Sequence, residues 1–177
     1  MSNLLKNAIR FILFILVQVF LLDKIPPLQL FIVPIIYFLF LLWLPFKIPK
    51  LQLLIIGFSY GLMLDFFTKT PGLHAAACTL VAFCRPFIIH LLLPKESFET
   101  NYVEPSIISM GFVPFMVYVL MLTIIHHFYL IFLEWLSFGD MLFFLGKLIA
   151  STGVSILLIL ITEMLFHRNV KGRSRLA

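Results

Sequence analysis

Charge is what this chain of 177 residues lacks most, since Asp, Glu, Lys and Arg together make up only 12% of it. A soluble domain carries roughly 25%, because it needs a wetted surface. Too little charge is present to cover a globule of this length, so the expected solvent is lipid. Cysteine is also scarce: Cys78 and Cys84 lie in one apolar run, and at about 100° per residue they point apart. Neither an intrahelical disulfide nor a metal pair follows, and both read as small packing residues. No H-E-x-x-H, C-x-x-C, phosphate loop or dinucleotide fingerprint occurs, so neither metal nor cofactor is expected. After Lys6, Arg10 and the first apolar run there is no small-x-small cleavage site, and the run is expected to stay as a first span.

What the chain has is hydrocarbon. Hydrophobic residues reach 62%, with Phe alone present 21 times, and the mean hydropathy is +1.12. A membrane-crossing helix needs about 20 mostly apolar residues. Punctuation divides the chain into about six such spans in one all-α bundle, at 8–22, 28–46, 51–67, 73–93, 107–133 and 141–166, followed by a basic tail over 167–177. Pro34, Pro86 and Pro114 inside spans are expected to mark kinks. With the N-terminus cytoplasmic, the inner segments hold Lys6, Arg10, Lys47, Lys50, Lys95 and the tail residues Arg168, Lys171, Arg173 and Arg175, while the outer loops hold only Lys24 and Lys69. That bias satisfies the positive-inside rule with both termini cytoplasmic. The net charge of +5 therefore points to anionic lipid headgroups and not to nucleic acid.

Among motifs, Gly57-Phe58-Ser59-Tyr60-Gly61 matches the G-x-S-x-G nucleophile elbow, which needs a strand–turn–helix context. Within an apolar helix, G-x-x-x-G is better read as a smooth face on which another helix, from this chain or a partner, can pack closely. An intramembrane serine protease is a distant alternative, because His126 and His127 fall near the outer end of their span and His167 near the inner end. The adjacent His126 and His127 diverge on a helix and are expected at an outer interface beside Tyr129 and Trp135.

Ionisable groups at membrane depth are costly and usually face the bundle interior. Asp65 lies about 20 Å along its span, with His74 just across a short turn, so the two are expected to meet at the outer rim. Lys147 either snorkels outward or pairs with Asp65. Arg85 either snorkels inward or bonds carbonyls freed at Pro86. His90, Glu163 and His167 fall in the same inner layer, with Glu163 and His167 on one helix face.

The stretch Gly61-Leu62-Met63-Leu64-Asp65, with Pro71-Gly72-Leu73-His74 and the small residues after it, resembles the signature region of the rod-shape-determining protein MreD family. Chain length, span pattern, short loops and basic tail agree with it. The resemblance implies a non-enzymatic role in bacterial cell elongation, in association with the single-span periplasmic protein MreC. Through MreC it implies links to the MreB cytoskeleton and to the wall-synthesising polymerase and transpeptidase. It also implies a fold similar to the substrate-binding components of energy-coupling-factor transporters. Gly61, Asp65, Gly72 and His74 match the family motif. The competing expectation is a small-solute binding or transport component whose intramembrane polar residues line a pocket. Rim placement of those residues favours the scaffold, because transporters place substrate near the midplane.

Overall fold

Most of the apolar runs become helices bounded by turn and cap residues. The structure is a computed structural model, and it describes residues 3–25, 32–93, 103–137 and 140–166. The described helices are α1 (Asn3–Phe20), the short α2 (Leu39–Leu42), α3 (Lys50–Thr68), α4 (Leu73–Leu92), the short α5 (Ile107–Met110), α6 (Phe112–Glu134) and α7 (Met141–Leu165). Pro49 precedes α3, and Lys69 closes it in the left-handed conformation at φ 59°. Gly72 at φ 88° opens α4, as only a residue without Cβ does cheaply. Asp140 caps α7 by accepting from the Leu142 N–H, a favoured N-cap arrangement.

Among the described residues five helices, one of them continued to Lys24, are long and apolar enough to cross a membrane. Their outer surfaces agree with a membrane protein. Phe66, Leu91, Leu142, Ile149 and Met164 are each more than 70% exposed, a burden that water would penalise and hydrocarbon does not. Each helix buries a stripe. On α6 it is Phe115, Tyr118, Val119, Leu122, Thr123, His126, His127, Leu130 and Ile131, the three-and-four spacing of a helix face.

The second apolar run departs from the expected helical span. Residues 32–36 are irregular, followed by a turn and the short α2. The strip nevertheless follows the second half of α7: Val33 and Ile35 lie against Ser151 and Ser155, and Trp43 against Glu163 farther along. It is the core itself, with Ile35, Tyr37, Phe38, Leu39, Leu41 and Leu42 at most 1% exposed. Irregular backbone at membrane depth is tolerated when buried in protein, and hydropathy does not distinguish burial in protein from burial in lipid.

The fifth run is also divided. Ser106 and Ser109 form a capping box at α5, and Gly111 at φ 84° ends it before α6 begins. Pro114 therefore sits in the first turn of α6, where it breaks no hydrogen bond, and not at a kink. Pro34 lies in the irregular strip, while Pro86 is inside α4. The basic tail 167–177, with His167, and most of the polar loop, including Lys95, Glu96, Glu99 and Asn101, lie outside the described residues.

Candidate functional site

The α3–α4 hairpin gathers the motif residues. Asp65 is 3% exposed and its carboxylate is saturated with donors. Oδ1 accepts from the His74 N–H at 2.8 Å and the Thr70 hydroxyl at 3.2 Å, and Oδ2 accepts from the Gly72 and Ala75 N–H groups at 3.0 Å each. These amides open α4, so a buried anion meets the positive end of a helix dipole and satisfies its orphan donors. The expected meeting of Asp65 and His74 occurs, but through the His74 backbone. One turn earlier, Gly61 lets the helices touch: a Cβ there would lie 2.4 Å from the His74 carbonyl oxygen and 2.5 Å from Ala75 Cα. At Gly57 a Cβ would lie 2.8 Å from that of Ala82. The G-x-x-x-G face is thus closed within the chain by α4 and is not open to a partner helix. Ser59 is exposed on the other side of an unbroken α3, without the strand–turn–helix that an elbow requires.

With its backbone held by Asp65, His74 turns its ring inward. Its Nδ1 lies 2.7 Å from the Tyr37 hydroxyl, which lies 2.8 Å from His126 Nε2. The hydroxyl has one proton, so it donates to one imidazole and accepts from the other. Phe38 stacks on the His126 ring at 4.5 Å, and His126 Nδ1 is buried without a partner. His127 Nδ1 lies 2.9 Å from the Thr123 carbonyl, an atom that only accepts, so Nδ1 carries the proton. His127 Nε2 then accepts from the Ser155 hydroxyl at 2.9 Å. Both His126 and His127 are completely buried, which corrects the expectation of an outer interface. Their place on the buried stripe of α6 was the signal available in the sequence.

Beside this chain lies a half-open cavity of about 330 Å³, with Gln18, Asp23, Tyr37, Thr68, His74 and Glu134 among its lining residues. Glu134 accepts from Lys147 Nζ at 2.6 Å. Lys147 is therefore paired across the α6–α7 turn and does not reach Asp65. Among the described residues no group of His, Cys, Asp and Glu is arranged to hold a metal ion. Chemically the cavity offers neutral hydrogen-bonding groups and carboxylates to a small polar solute.

Other polar side chains support the irregular strip. The Ser151 and Ser155 hydroxyls accept from the Val33 and Ile35 N–H groups at 3.0 Å. Gln18 accepts from the Ile36 N–H and donates to the Pro34 carbonyl, also at 3.0 Å. At the far end Arg85, 1% exposed, donates to the Leu44 carbonyl and to the Tyr118 hydroxyl, which donates to the Leu42 carbonyl. The carbonyls that Arg85 serves thus belong to the strip and not to its own Pro86 turn. Glu163 accepts from the Trp43 indole at 3.0 Å, and His90 is exposed. Gln18, Ser151 and Ser155 were missed in the sequence, where Gln18 is a lone polar residue and the two serines belong to a short Ser-Thr-Gly-Val-Ser stretch, each within an apolar run. In comparisons with known proteins, no family model, no curated protein and no solved structure matches the chain.

Proposed function

We propose that the protein is a non-enzymatic scaffold of the bacterial cell-elongation machinery in the inner membrane. It would hold an MreC-like single-span periplasmic partner and, through it, an MreB-like cytoskeleton and the wall-synthesis polymerase and transpeptidase. The observation that carries this reading is the convergence of Gly61, Asp65, Gly72 and His74 on one hairpin. The residues of the MreD resemblance serve there to fix the shape of the membrane domain, which suits a scaffold. On this reading the irregular strip supplies a sixth crossing beside the five helices, which would put both termini in the cytoplasm. Lys6, Arg10, Lys47 and Lys50 then lie on the cytoplasmic side, in keeping with the positive-inside rule. Since Gly57 and Gly61 pack against α4, the partner's helix is assigned to the remaining lipid-facing surfaces.

A small-solute binding role, with a fold similar to the substrate-binding components of energy-coupling-factor transporters, is the second reading. It is favoured by one observation, the polar cavity beside Tyr37 and His74. Gentle solubilisation of native membranes, affinity purification and mass spectrometry separate the two. A co-purifying single-span periplasmic coiled-coil protein with wall-synthesis enzymes supports the scaffold. Co-purifying ATPase subunits, or a small molecule lost on replacing His74, replace it with the transport reading.

A further inference from the structure

The Arg10 end of the bundle holds another cavity of about 330 Å³, and its chemistry is the reverse of the polar one. α1 and the end of α7 form its banks, while Ile36 and Trp43 of the irregular strip form its floor. Its walls are almost wholly apolar, and Ile9 and Leu13 on its α1 bank are 47% and 43% exposed. The exception is one end, where Lys6 and Arg10 stand. Glu104 accepts from both, at 3.0 Å and 2.9 Å. Two cations thus meet one carboxylate, with the Glu163 carboxylate held on the Trp43 indole nearby, and the Lys6 side chain keeps 30% of its surface exposed.

Length decides what fits. From Lys6 to Val17 the groove follows α1 for about 16 Å at 1.5 Å per residue, close to the roughly 15 Å hydrocarbon depth of one leaflet. A single extended hydrocarbon chain matches both its length and its volume, and the partly exposed Lys6 ammonium at its end suits a phosphate. We infer that this groove binds one acyl chain of an anionic phospholipid from the leaflet at the Arg10 end, with the phosphate against Lys6. This lipid site is independent of the cell-elongation reading.

The test uses the full chain in detergent, with native mass spectrometry after addition of phosphatidylglycerol and phosphatidylcholine in equal amounts. One phosphatidylglycerol per chain is expected, in clear preference. Lys6→Gln, which removes one surface cation, is expected to cut that preference about fivefold. Leu13→Trp fills the groove and abolishes retention, while Leu16→Trp, exposed on α1 outside the groove, leaves it intact. Equal retention of both lipids, or equal retention by the two tryptophan variants, overturns the inference. Should Leu13→Trp fail to fold, a photo-crosslinker at Ile9 in native membranes decides. Labelled phospholipid supports the site, and a labelled protein helix overturns it.

Discussion

Adding one methyl group at Gly61 tests whether the hairpin is held by close backbone contact. A Cβ there would approach the His74 carbonyl oxygen, Ala75 Cα and Ala75 N at 2.4–2.6 Å. All three are backbone atoms of a turn that Asp65 already fixes, so no side chain can rotate away. Overpacking usually costs about 1–3 kcal/mol, and a clash with fixed backbone belongs at the upper end. Alanine is the better helix former by about 1 kcal/mol, which leaves a net loss of about 2 kcal/mol for Gly61→Ala. At roughly 2–4 °C per kcal/mol for a chain of this size, the midpoint of thermal unfolding in detergent should fall by ~4–8 °C. The control is Gly153→Ala: nothing lies within 4 Å of a Cβ at that position, so only the helical gain remains and the midpoint should hold or rise. If Gly61→Ala is as stable as the unmodified protein, the α3–α4 contact is looser than argued and the face becomes available to a partner again.

Further expectations rest on the same kind of reasoning. Asp65→Asn replaces an acceptor-only group by one whose amide faces N–H donors, and should cost about 2–3 kcal/mol in the same thermal assay. Ser155→Ala strips an acceptor from the Ile35 N–H and a donor from His127. It should destabilise by about 2–3 kcal/mol, whereas Ser155→Thr, which restores the hydroxyl, should recover part of that loss. Glu134→Gln breaks only the Lys147 pair, with Glu134 exposed, and should change stability by less than about 1 kcal/mol. A midpoint shift from Glu134→Gln as large as that from Asp65→Asn would contradict the ranking.

The sequence made the long helices legible because apolar length and turn residues are local signals, as at Thr68–Gly72, where a left-handed Lys69 and Gly72 close one helix and open the next. Proximity of Asp65 and His74 was legible for the same reason, since a short turn leaves them few places to go. The second apolar run was not, because an irregular strip buried in protein and a helix buried in lipid have the same hydropathy. Its distinguishing signal was dispersed over Gln18, Arg85, Tyr118, Ser151 and Ser155, on helices far away in the chain. His126 and His127 were misplaced by their distance from the span end, although the spacing of Tyr118, Leu122 and Thr123 marks the face they share. For Lys147 the sequence left outward snorkelling and pairing with Asp65 open, and the partner it has, Glu134, lies on the neighbouring helix α6.

The irregular strip also sets a timetable for the chain's own synthesis. Amides at Val33 and Ile35 find their acceptors on Ser151 and Ser155, which leave the ribosome more than a hundred residues later, as the separations of 118 and 120 show. Until then those two amides lack their acceptors, a costly state within lipid, although Gln18 is already present for the Ile36 N–H and the Pro34 carbonyl. The core of this membrane domain is therefore completed late, since the Val33 and Ile35 amides are paired only once α7 is in place.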